Sequence, residues 1–136
     1  MNSEFRSQKA EVGPADKRAT DLKLRTKSFA VRVVRLYQSL PRREEARIVG
    51  NQLLRSATSV AANYRAACGG RFRNEFIAKL GIVLEEADET VFWLELLLDT
   101  DIVDGTNLRN LIAEANELTS IFVTSLRTAK GVTSAL

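Results

Sequence analysis

Apolar residues recur at steps of three and four along two consecutive runs: Leu53, Ala57, Val60, Tyr64 and Cys68, then Phe76, Leu80, Val83, Ala87, Val91, Leu94 and Leu98. That spacing holds one face of an α-helix against a core. Only the short stretch Cys68-Gly69-Gly70-Arg71 and a few residues beyond it separate the runs. Gln52 to Leu98 therefore reads as two long antiparallel helices joined by a tight turn, and the rest of the chain packs against that pair. Gly69-Gly70 is expected to end the first of them in a left-handed cap.

The same period continues on both sides. Leu22, Thr26, Phe29, Val33, Leu36 and Leu40 share one face of an earlier helix, which Leu40-Pro41 stops because proline disfavours helical geometry in the residue before it. Glu44 and Glu45 then lie near the positive start of the next helix. Leu108, Leu111, Ala115, Leu118, Phe122, Ser125 and Ala129 mark a fourth, with Thr106 as its expected N-cap. Gly81 falls inside the third helix, where glycine is expected to mark close helix packing. No stretch alternates as a strand does. The expected fold is all-α: an up-down-up-down four-helix bundle with helices at about 16–40, 43–68, 72–99 and 106–130. Residues 1–15 read as a disordered leader, in part a cloning remnant (Met1-Asn2-Ser3-Glu4-Phe5), and 131–136 as a tail.

A chain of 136 residues suffices for one domain with its own core. One cysteine, no histidine and no apolar run of about 20 residues leave no sign of a disulfide, a metal site, a cofactor or a membrane span, so a soluble cytoplasmic protein is expected. An enzyme is the least favoured class. There is no histidine to shuttle protons, no glycine-rich phosphate loop and no nucleophile with a recognisable base. The acids Glu85, Glu86, Asp88 and Glu89 point in several directions around one helix rather than converging across a cleft. No catalytic residue and no metal ligand is assigned.

The blocks Asn51 to Ala67, Glu75 to Thr90 and Phe92 to Leu97 resemble the bacterial four helix bundle protein family, which includes proteins encoded in intervening sequences of large-subunit ribosomal RNA genes. They are similar also to the accessory variability protein of diversity-generating retroelements. The resemblance covers roughly Leu22 to Ala129. It implies a homopentameric ring of bundles and, for the retroelement branch, binding to nucleic acid and to a reverse transcriptase. Two positions depart from the common pattern. Tyr64-Arg65-Ala66-Ala67 stands where many relatives have an acidic residue and glycine, and Phe72 stands where relatives carry a capping serine. The turn is then expected to lean on Phe72 packing or on Asn74 as a later cap.

Gln52, Arg55, Ser59 and Asn63 form a polar stripe beside the apolar face of the second helix. In a hairpin closing near residues 69–72, Arg55 lies near Glu85 or Glu86, Gln52 near Glu89, and Asn63 near Ala78 or Lys79. The stripe reads as a hydrogen-bonded seam between helices or subunits, with an Arg55 to Glu86 ion pair, in preference to a ligand site. Val91 to Leu98 is apolar at every position but Glu95, so this helix needs a second surface over Phe92, Trp93 or Leu96. Self-association is the favoured reading, a thick core capped by the 100–106 loop the other.

Charge is segregated. Residues 1–84 carry a net +10, residues 85–104 a net −8 and residues 105–136 a net +1. An up-down-up-down bundle gathers the start of the first helix, the turn between the second and third and the end of the fourth at one pole. Lys23, Lys27, Arg65, Arg71, Arg73, Lys79, Arg127 and Lys130 then belong to a basic end suited to RNA or DNA phosphates, without base specificity. Two functions follow: a non-enzymatic, oligomeric nucleic-acid-binding accessory protein, which could aid a reverse transcriptase, or a protein-interaction scaffold ring with no nucleic-acid role. Neutralising Arg71 and Arg73 separates them.

Overall fold

A computed structural model of the chain describes residues 14–131. They form four helices: α1 Pro14–Ser39, α2 Glu44–Cys68, α3 Arg73–Asp99 and α4 Gly105–Ala129. No strand occurs among the described residues. α1 starts on Pro14, where a missing amide proton is tolerated because the first helical N–H groups have no partner within the helix. The helix thus begins inside the stretch read as a leader. Residues 1–13 and 132–136, the remainder of that leader and nearly all of the expected tail, lie outside the described residues.

Each helix packs on its chain neighbours, and α1 also meets α4, while α1 and α3 stand diagonally across the bundle. Cross-helix bonds show that neighbours are antiparallel. Tyr37 near the end of α1 bonds Asn51 near the start of α2, and Arg73 at the start of α3 donates to the Ala129 carbonyl at the end of α4. Phe29, Val33, Leu53, Val60, Leu80, Val83, Leu94, Leu97, Leu108, Leu118 and Phe122 are fully buried along the axis. These residues come from the periodic stripes, with Leu97 added. The core also encloses a polar contact: Thr90 Oγ1 lies 2.9 Å from Ser56 Oγ, and the two hydroxyls reach the carbonyls of Glu86 and Leu53. Hydroxyls that satisfy backbone carbonyls one turn back can be buried without an orphaned proton.

The turns correct several expectations. Gly69 caps α2 with a right-handed φ of −87°. The glycine pair instead supplies room, because a Cβ on Gly70 would stand 3.3 Å from the Ala67 carbonyl oxygen and 3.4 Å from Glu75 Cβ. Phe72 is the N-cap of α3, makes no capping bond and is exposed, so the turn does not lean on its ring. Asn74 lies inside the helix and cannot cap it. α4 starts at Gly105 after an extended Asp104, which places Thr106 one residue into the helix. Gly81 has nothing within 4 Å of a Cβ built on it, whereas Gly50 is the closely packed glycine, with Leu40 Cδ1 only 2.5 Å from such a Cβ.

Candidate nucleic-acid interface

The two helix ends and the turn assigned to the basic pole meet in the structure. Arg73 Nε bonds the last turn of α4, and Arg18 of α1, Phe76 of α3 and Thr128 and Ala129 of α4 line one groove. Lys17, Arg18, Arg65, Arg71, Arg73, Arg127 and Lys130 are all exposed at this end. Apart from Arg73, none of these makes an ion pair or side-chain hydrogen bond among the described residues. Arg73 has a structural role, because α4 ends with unpaired carbonyls and the guanidinium satisfies one of them. Lys23, Lys27 and Lys79 are exposed too, but they lie one or more turns away from the pole, along the sides of α1 and α3.

Arg25 is excluded from phosphate binding by its partners. Its Nε and Nη2 donate to the two Glu114 oxygens at 2.8 Å, and Nη2 lies 3.0 Å from Glu117. The guanidinium holds the Glu114 carboxyl below the usual carboxylate range. A planar fork meeting a carboxylate at two points is a strong form of charge-assisted bond, and it clasps α1 to α4 midway along the bundle.

Poleward of that clasp, α1 and α4 part around a groove of about 850 Å³, floored by Leu22, Tyr64, Phe76 and Ile121. Ser120, Thr124, Ser125 and Thr128 are too small to fill it. The sequence carries this signal as a run of small residues late in α4, but only the packing shows that they face α1 and leave space. Burial, and then contact with Cys68, pushes the Tyr64 phenol above its ordinary range, so it stays protonated beside the groove.

The polar stripe of α2 is divided by the structure. Arg55 Nη1 donates to Glu86 Oε2 at 2.9 Å, and its Nη2 to Glu89. Gln52 accepts a long 3.3 Å bond from Arg55 rather than reaching Glu89. Asn63 turns back along its own helix to the Ser59 hydroxyl and carbonyl, at 2.8 and 3.0 Å, instead of crossing to Ala78 or Lys79. Trp93 Nε1 donates to Glu89 at 2.9 Å, and this bond, followed by Arg55, lowers the Glu89 carboxyl. Arg55 and Glu86 thus bridge α2 and α3, joined by Glu89 and Trp93, while Ser59 and Asn63 do not. The buried Ser56 and Thr90 contact is hidden in the sequence because each sits one position before a stripe residue, Ala57 or Val91, where a small hydroxyl reads as the polar edge of the helix. Phe92 is exposed, with its ring edge-on to Trp93 at 4.8 Å, and Trp93 and Leu96 are half-buried.

No group of three or more potential metal ligands is positioned to hold an ion among the described residues. No helix among them is long and apolar enough to cross a membrane.

Comparison with known proteins connects this geometry to a family. A solved structure, that of a protein of unknown function from the S23 ribosomal protein family of Bacteroides thetaiotaomicron VPI-5482, superposes with a TM-score of 0.73 at 35% identity, covering 78% of this chain and 98% of that one. No curated protein shows significant similarity to the chain. Residues 20–124 match the family described as 23S rRNA-intervening sequence protein, which takes in most of all four helices. The chain belongs to the 23S rRNA-intervening sequence protein family.

Proposed function

We propose that this protein is a non-enzymatic, homo-oligomeric accessory protein that holds RNA or DNA by its phosphates on the basic pole. The observation that carries the reading is the meeting of exposed, unpaired cations from three separate segments: Lys17 and Arg18 of α1, Arg65 and Arg71 around the α2–α3 turn, and Arg127 and Lys130 at the end of α4. Charges kept only for solubility need not converge, whereas a phosphate backbone rewards convergence through counterion release. Lys23, Lys27 and Lys79 extend the same field along the sides. A family named for intervening sequences of 23S rRNA supports RNA as the first ligand to try. A ring of parallel bundles, pentameric by the family resemblance, would set several such poles on one face and raise the local potential.

A labelled structured RNA and a duplex DNA, titrated with the protein across a salt series and read by fluorescence anisotropy, test the proposal. Binding near micromolar should weaken linearly on a log-log salt plot, and Arg65→Gln with Arg71→Gln should reduce the slope by roughly 0.7–0.9 per lost contact. These two are better probes than Arg73, whose removal also uncaps α4. No binding at low salt would end the nucleic-acid reading.

The groove between α1 and α4 favours the scaffold as a second reading, because an apolar floor of this kind fits a polypeptide. A reverse transcriptase is the partner that the retroelement resemblance implies. That reading predicts an intact protein complex, and no nucleic-acid phenotype, in the same double variant.

A further inference from the structure

Two surfaces on opposite sides of the bundle match each other. The outer face of α1 exposes Leu24 at 64% and Val31 at 40%, with Lys27 and Arg35 exposed beside them. The outer face of α3 exposes Ile82 at 42% and Phe92 at 53%, with Glu85, Asp88 and Glu95 around them. None of these five charged side chains makes an ion pair among the described residues. Large apolar side chains flanked by unpaired charge are an unfinished surface, and here the charges from Leu24 to Arg35 on one face are basic and those from Ile82 to Glu95 on the other acidic, with Asp21 and Lys79 one turn nearer the basic pole.

The two faces also agree in height. α1 and α3 run in the same direction between the same poles, starting at Pro14 and Arg73 and ending at Ser39 and Asp99. A residue on α1 therefore stands at the level of the one about sixty positions later on α3. Leu24 is level with the stretch between Ile82 and Glu85, Lys27 with Glu85 and Asp88, Val31 with Phe92, and Arg35 with Glu95. A neighbouring copy related by rotation about an axis along the bundle keeps every residue at its own height. Such a neighbour brings apolar onto apolar and base onto acid along some 15 Å of helix, at about 1.5 Å per residue.

We propose that the outer face of α1 in one copy docks on the outer face of α3 in the next, with Val31 against Phe92 and with Arg35 and Lys27 against Glu95 and Glu85. This rests on the oligomeric part of the reading above and names its contact. Because α1 and α3 stand diagonally, the contact is head-to-tail and each copy keeps one face of each kind for further neighbours. Rotation about an axis along the bundle keeps the basic poles of all copies on one side. Lys27 then serves the protein contact instead of extending the basic field along the side.

The test is the mass of the full chain in solution without nucleic acid, by sedimentation velocity over a range of concentration and salt. The native chain should exceed monomer mass and dissociate as salt rises. Arg35→Glu alone, or Glu95→Arg alone, should weaken association about ten-fold or more by facing like charges. Both changes on one chain should restore it. An equimolar mixture of the two single variants should assemble again with the two alternating, because the reversed α1 face of one meets the reversed α3 face of the other and the unchanged α1 face meets the unchanged α3 face, so every mixed contact pairs opposite charges. Phe92→Ser and Val31→Ser should each weaken assembly. All four sites are exposed, so the helical signal should be unchanged. A native chain that is monomeric throughout, charge reversals without effect, or a double variant that is not rescued would each overturn the proposal. Because no nucleic acid is present, those outcomes stay distinct from a failure of RNA binding.

Discussion

Asp101 is the one non-glycine residue with positive φ among the described residues, at 54°. It follows the end of α3, where its N–H bonds the Leu98 carbonyl at 3.2 Å and the N–H of Ile102 reaches back to Leu97 at 3.4 Å. This is a Schellman closure, with Ile102 packed against the core, and the left-handed position usually belongs to glycine. Asp101→Gly should therefore stabilise the bundle by about 0.5–1 kcal/mol, seen as a rise of a few degrees in thermal denaturation. Gly81 calls for the opposite exchange. Its surroundings are open, so Gly81→Ala should stabilise by roughly 1 kcal/mol through helix propensity alone, and chemical denaturation would show it as a higher midpoint with an unchanged slope. Neither assignment is accessible from residue type. Glycine in a helix reads equally as a packing site or as a blemish, and an aspartate in a polar loop carries no mark of its backbone angle.

The helices themselves are legible because periodicity and burial report the same physics. Leu22, Phe29 and Val33, Leu53 and Val60, Leu80 and Val83, and Leu108 and Phe122 lie on predicted stripes and are all buried. What joins the helices is legible where charge complementarity acts across a hairpin, as between Arg55 and Glu86, and hidden where it crosses between the first and last elements, as between Arg25 and Glu114. Sequence distance gives no register for that second kind of contact. Two carboxylates are held below their usual range, Glu89 by Trp93 and then Arg55, and Glu114 by Arg25. A carboxylate whose folded pKa is depressed adds stability above its unfolded value, near 4.5, and loses that stability as pH falls through the folded value. The melting temperature should accordingly decline in acid below about pH 4.5. Arg25→Met should lower it at neutral pH by the equivalent of about 1 kcal/mol or less and flatten the acid decline, since part of that decline belongs to Glu114. Melting curves at a series of pH values for both proteins check this.

At the scale of the whole molecule, charge arithmetic and topology together imply a basic pole, and the same three segments converge there in the structure. The groove between α1 and α4 lies beyond that reading, since a void depends on what neighbouring side chains fail to reach. The same opening bears on how the bundle comes apart. α2 and α3 share a long interface with the Ser56 and Thr90 contact inside it, whereas the backbones of α1 and α4 approach least closely of the neighbouring pairs, with the Arg25 clasp between them. Local opening follows the regions with fewest buried contacts. Deuterium uptake measured peptide by peptide should thus show α1 exchanging first and the α2–α3 hairpin last, with Arg25→Met hastening α1 and leaving the hairpin amides nearly unaltered. A helix that detaches ahead of its fellows behaves as a hinged flap, able to uncover Leu22, Tyr64, Phe76 and Ile121 for moments at a time while the hairpin beneath keeps its shape.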